Sequence, residues 1–111
     1  MKKGLAYRMI YRRPNKIALL RNDNDDIKYY WFWCPGCKEL HSVQVGKCSP
    51  SWTFSGTRDN PTIRASVLVS PNKKEHRCHL FVTDGKIQYL SDSHHELAGK
   101  TIEMEEIHHH L

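Results

Sequence analysis

The stretch Ile27-Lys28-Tyr29-Tyr30-Trp31-Phe32-Trp33-Cys34-Pro35-Gly36-Cys37-Lys38-Glu39-Leu40-His41-Ser42-Val43-Gln44-Val45 decides how the chain folds. Residues 27–33 are β-branched and aromatic almost throughout, the composition of a strand with buried neighbours. Residues 41–45 alternate polar and apolar, as a returning strand does. The segment 27–45 therefore reads as a hairpin with Cys34-Pro35-Gly36-Cys37 near its tip. Pro35 fixes φ, and Gly36 permits the left-handed backbone that such a turn usually needs. Two thiolates spaced in this way can take one metal ion from the same side. The turn thus reads as half of a zinc site.

Working outward, 111 residues make one domain, and 39% hydrophobic content allows a small core that gains from a staple. Arg8, Arg12 and Arg13 interrupt any apolar region behind Met1-Lys2-Lys3, so no signal peptide is expected. No apolar run approaches the roughly 20 residues of a membrane helix, which argues against a membrane enzyme. The expected compartment is the cytoplasm of a bacterial host cell, where Cys34, Cys37, Cys48 and Cys78 are reduced thiols or metal ligands rather than disulfides.

The net charge of +5 is uneven. Residues 1–21 carry Lys2, Lys3, Arg8, Arg12, Arg13, Lys16 and Arg21 and no acid, whereas Glu103, Glu105 and Glu106 cluster near the C-terminus. The basic segment suits nucleic acid or an acidic host protein as partner. The plainer reading is a solvated face paired with the acidic tail.

Residues 5–11 and 16–20 are apolar runs of strand length separated by a turn at Arg12-Arg13-Pro14-Asn15, with a short helix at 16–21 as an alternative. Trp52-Thr53-Phe54, Ser66 to Val69, Cys78 to Thr83, Lys86 to Leu90 and Thr101 to Met104 read as further strands. Asp84-Gly85 between two apolar runs is a hairpin turn. Ser91 or Asp92 can cap a short helix over Ser93 to Ala98, which Gly99 can close. The expectation is a mainly β chain: a small zinc-stabilised sandwich or partly open barrel of antiparallel strands with one short helix. It forms a single domain over 1–111, with a basic N-terminal segment at 1–25, a zinc-stabilised core at 27–104 and a tail at 108–111 that is vector-derived or native.

A structural zinc takes four Cys or His ligands. Beside Cys34 and Cys37, Cys78 is the best third ligand, being a thiol that opens a strand able to lie beside the first hairpin. For the fourth, His95 is favoured, with His41, His79 and Cys48 as alternatives. Successive strand side chains point to opposite faces, so His79 can join Cys78 only if the backbone there is irregular. A redox Cys-x-x-Cys opens a helix in a βαβ unit, whereas this one joins strands. No His-Glu-x-x-His is present for a metallohydrolase.

A serine nucleophile needs a histidine within hydrogen-bond reach and a group to orient it. Ser66 and His79 each lie near the end of a strand, and if those ends meet they form a dyad, with Asp92 or Asp59 as orienter. The aromatics Trp31, Trp33, Trp52 and Phe54 can stack on bases, but in a small β domain they more often fill the core.

Residues 31–102 carry a resemblance. The motifs Phe32-Trp33-Cys34-Pro35-Gly36-Cys37 with His41, Trp52-Thr53-Phe54-Ser55-Gly56, Pro61-Thr62 with Ser66-Val67-Leu68-Val69, Arg77-Cys78-His79 with Phe81 to Gln88, and Asp92 with His95 resemble small phage and prophage proteins often labelled "ammonia monooxygenase". That resemblance implies a phage-type, zinc-binding accessory protein that binds a host protein or nucleic acid, with counter-defence as one role. More distantly, Pro61-Thr62-Ile63-Arg64-Ala65-Ser66 and His79 to Gly85 are similar to the peptidase family of bacterial ubiquitin-like conjugation operons. The similarity implies Ser66 as nucleophile, His79 as base and cysteines holding a structural zinc. A purely structural phage component that forms a homo-oligomer is a third reading.

Overall fold

A computed structural model describes residues 15–111. The expected strand at 5–11, the Arg12 to Pro14 part of the turn after it, and most of the basic segment lie outside the described residues. The remainder is mainly β, in two antiparallel sheets that do not close into a barrel. One sheet has the order β1-β2-β3, from Ala18–Arg21 (β1), Ile27–Cys34 (β2) and Glu39–Gly46 (β3). The other has the order β4-β5-β6-β7-β8, from Thr53–Gly56, Pro61–Val69, Cys78–Thr83, Lys86–Tyr89 and Thr101–Glu103. Each strand of the five-stranded sheet pairs with its neighbour in sequence, so its contacts are local hairpins.

The β2–β3 hairpin keeps one register along its length, from Ile27↔Gly46 to Cys34↔Glu39, as the alternating pattern of 41–45 requires. The β6–β7 turn at Asp84-Gly85 has φ of 49° and 77°. These positive values fit the twist of a two-residue hairpin and explain the Asp-Gly pair. The buried faces of both sheets form one core: Tyr30, Phe32 and Val43 from the first, and Ile63, Val67, Leu80, Val82, Ile87 and Tyr89 from the second. Tyr30 stacks on Phe54 with centroids 4.2 Å apart, joining the sheets through an aromatic pair.

The segment after β7 is a chain of turns, where a helix over Ser93 to Ala98 was expected. Six residues give little helical cooperativity, and their polar groups are taken elsewhere. The His94 N–H bonds the Arg77 carbonyl at 2.7 Å, and His95 Nδ1 accepts the Leu97 N–H at 3.3 Å. Among the described residues, helical structure is limited to two short 3-10 turns, Lys74–His76 and Ile107–His110, and no helix is long and apolar enough to cross a membrane. The C-terminal segment packs on the domain. Ile107 is buried with its N–H on the Asn15 carbonyl, and the His110 ring stacks on Trp33. Lys16 bonds Glu103 at 2.7 Å, a pairing of basic segment with acidic tail.

Candidate functional site

Two polar constellations meet at the first residues of β6. Cys78 is fully buried, whereas His79 is half-buried on the opposite face. The strand is regular from its first residue, so alternation separates the two side chains. On the inner side, Cys34, Cys37, His41 and Cys78 each offer a ligand atom, and these atoms lie within 4.8 Å of one another. Cys34 ends β2, Cys37 follows in the turn, His41 is on β3 opposite Phe32, and Cys78 comes from the second sheet.

Local backbone prepares the turn for this role. The Cys37 N–H points at Cys34 Sγ, 3.4 Å away, and the Lys38 N–H bonds the Cys34 carbonyl at 2.7 Å. Gly36 lies under the imidazole of His95, and a Cβ there would run into the ring. His41 supplies the sharpest sign of a ligand: its Nε2 is buried with no hydrogen-bond partner among the described residues. A buried ring nitrogen left unpaired is costly, and a metal ion would satisfy it. Nδ1 of the same ring lies 3.8 Å from a Glu39 carboxylate oxygen, the side from which a ligating histidine is usually oriented.

Hydrogen bonding and burial drive the thiols' pKa values apart. Hydrogen bonding from Cys78, which outweighs the opposing effect of burial, holds Cys34 down at about 3, with the Tyr89 hydroxyl and the Cys37 N–H adding to it. Burial, and then the Cys34 charge, pushes Cys37 up to about 12. Cys78 is raised by its bond to Cys34 and by burial, and burial also raises Tyr89, whose hydroxyl lies 3.0 Å from Cys34 Sγ. Such a cluster of thiols and imidazole is geometrically suited to a metal ion.

His95 sits at the edge of this cluster, its Nε2 3.4 Å from Cys78 Sγ. Because its Nδ1 accepts the Leu97 N–H, the neutral ring carries its proton on Nε2 and donates toward the sulfur. Burial lowers its pKa, which favours that neutral ring. The neighbouring His94 places Nε2 3.4 Å from Cys37 Sγ. Cys48 is a free thiol, and neither it nor His79 belongs to the cluster.

On the outer side, His79 Nε2 lies 3.2 Å from Ser66 Oγ, and His79 Nδ1 lies 3.2 Å from both carboxylate oxygens of Asp92. Ser66 is on β5, inside the register shift between Ile63 and Val67, and His79 is on the adjacent strand. The shift is local and brings Ser66 Oγ within reach of an imidazole that sits opposite Leu68. Asp92 comes from the turns after β7. The other candidate orienter, Asp59, accepts the Thr57 hydroxyl at 2.9 Å instead.

One residue that holds this arrangement together carries no signal in the sequence. Ser93 is buried, and its Oγ accepts the His79 N–H and donates to the His79 carbonyl, both at 3.0 Å. The same carbonyl takes the Leu90 N–H at 2.8 Å. The segment carrying Asp92 is thus fastened to the backbone of His79. The Trp52 indole N–H caps the Ser66 carbonyl at 3.0 Å.

A family model described as bacterial ubiquitination-like system serine protease (BubE) matches residues 7–90. No curated protein and no solved structure matches the chain. The match favours the more distant of the two resemblances and lends nothing to the phage "ammonia monooxygenase" label.

Proposed function

The chain belongs to the family of bacterial ubiquitination-like system serine proteases, and on that premise we propose that it is a serine peptidase with Ser66 as nucleophile, His79 as general base and Asp92 as orienter. The observation that carries the reading is the hydrogen-bonded series Ser66–His79–Asp92 on the outer face of β5 and β6. Asp92 accepts a hydrogen bond from Nδ1–H, which leaves the Nε2 lone pair facing the Ser66 hydroxyl. Ser66 Oγ attacks the scissile carbonyl as its proton passes to Nε2. The imidazolium, stabilised by Asp92, then gives that proton to the leaving amine as the C–N bond breaks. Water, deprotonated by the same nitrogen, cleaves the acyl ester and restores Ser66.

Cys34, Cys37, His41 and Cys78 would hold zinc, since three thiolates and one imidazole make a donor set typical of structural zinc. The ion's contribution is to tie the first hairpin to β6, which keeps His79 in place. The phage-type accessory role read from the sequence, binding a host protein or nucleic acid, draws its support from a basic segment mostly outside the described residues.

The test is hydrolysis of chromogenic ester and amide substrates. Ser66→Ala and His79→Ala should lose turnover while retaining full metal content and unchanged melting. Undiminished hydrolysis by Ser66→Ala would overturn the reading.

A further inference from the structure

Among the described residues, the half of β5 that carries Ser66 has no strand along its outer edge. β4 pairs with β5 from Gly56↔Pro61 to Thr53↔Arg64 and no farther. The chain before Thr53 turns to the other sheet, where the Trp52 N–H bonds the Gln44 carbonyl at 2.9 Å. From Ala65 to Val69, β6 is the one strand beside β5 among the described residues.

The direction of the free main-chain groups follows from β6. His79 sends its N–H to Ser93 and its carbonyl to Leu90, both away from β5. Leu68 is opposite His79, so theirs is a non-hydrogen-bonded pair. The N–H and carbonyl of Leu68 consequently point to the open side. The Ser66 carbonyl faces the same way, because it meets the Trp52 indole there. Ser66 Oγ and the Leu68 side chain share a face two residues apart, and Leu68 is 44% exposed.

We infer that an extended, flexible segment of a protein substrate docks along this edge as a guest strand, pairing with the Leu68 main chain and laying its scissile peptide against Ser66 Oγ. The inference rests on Ser66 being the nucleophile. A guest strand is recognised by backbone groups at every second residue, with side chains read in between. An unstructured tail or linker presents such groups freely, whereas a helix or a tight turn has already spent them. The substrate class is therefore a chain end or an unfolded connector, with an apolar side chain set against Leu68.

Phosphonate probes on the wild-type full chain test this. Their reaction joins Ser66 Oγ to phosphorus and expels phenoxide or fluoride, with the serine proton passing to His79. The probes are a simple alkyl fluorophosphonate, a diphenyl phosphonate lacking a peptide, its tri-alanyl analogue, and tri-alanyl analogues N-methylated at one amide each. The tri-alanyl compound should label faster than the non-peptidyl one. N-methylation should cancel that advantage, by about tenfold for one lost main-chain hydrogen bond, at one amide and not at its neighbour. In Leu68→Pro, which removes the outward donor, the ratio of peptidyl to non-peptidyl rates should fall. Equal sensitivity at adjacent amides, or no peptide advantage, overturns the guest strand while leaving Ser66 labelling intact. Failure of the fluorophosphonate to label at all overturns the nucleophile and this inference with it. If the proline variant does not fold, the N-methyl series on the wild type decides.

Discussion

Adjacent residues of β6 serve different ends: Cys78 turns inward to the thiol cluster and His79 outward to Ser66. Replacing His79 should therefore leave metal binding intact. Asp92→Asn keeps the shape but presents an amide to Nδ1, favouring the wrong tautomer. Turnover should fall about 10⁴-fold with little change in stability, measured as kcat beside a melting curve. Ser93→Ala deletes two hydrogen bonds to the His79 backbone. It should cost about 1–3 kcal/mol of stability and lower kcat more than it raises KM. Ser93→Thr, which keeps the hydroxyl, should restore both.

At this scale Ser66 and His79 were legible, because their residue types near strand ends suggest a dyad. The sequence also offered Asp92, but could not separate it from Asp59. Which carboxylate is free depends on a Thr57 contact that only the folded turn reveals. Ser93 was illegible as a positioning group, since its role is a pair of backbone bonds across 14 positions.

At the scale of elements, the Cys34–Cys37 turn and the turns at 91–99 work as a unit. Gly36 leaves room for the His95 ring, so Gly36→Ala should displace that ring and cost about 1–3 kcal/mol through overpacking. It should also weaken metal binding, as competition with a chromogenic chelator would show. Only one thiol is depressed, Cys34 at about 3, while Cys37 is raised to about 12 and Cys78 is raised as well. Binding through three thiolates must therefore expel about two protons at neutral pH. Affinity should fall as pH falls, because protons compete for the same sulfurs. Calorimetry in buffers of different ionisation enthalpy reads that count directly.

The hairpins were readable from period-two patterns and from Asp84-Gly85. The turns at 91–99 were not, because capping residues suggested a helix while side-chain and backbone ties outside the segment decided its shape. His41 appeared in the sequence as one alternative among several. What distinguishes it is an unpaired buried nitrogen, which no spacing rule displays.

Across the whole molecule, the cluster joins the two sheets: Cys34, Cys37 and His41 come from the first hairpin and Cys78 from the second sheet. A metal there would add a cross-link to the core that the two sheets share. At a free concentration about 1,000 times Kd, its binding adds roughly 4 kcal/mol. That corresponds to a loss of at least about 15 °C in Tm on chelation, measurable by calorimetry with and without chelator. Turnover should disappear with the fold rather than before it, since an ion at this cluster would hold β6 from the face opposite His79.

The proposed catalysis turns on Ser66 as nucleophile, carried on a scaffold that the cysteine cluster would hold together. Peptide mapping after fluorophosphonate treatment of the wild-type chain tests it most directly. A single covalent adduct should form on Ser66 and be absent from a His79→Ala variant that still carries its metal. An adduct on another residue, or none on a folded, metal-loaded chain, would contradict it.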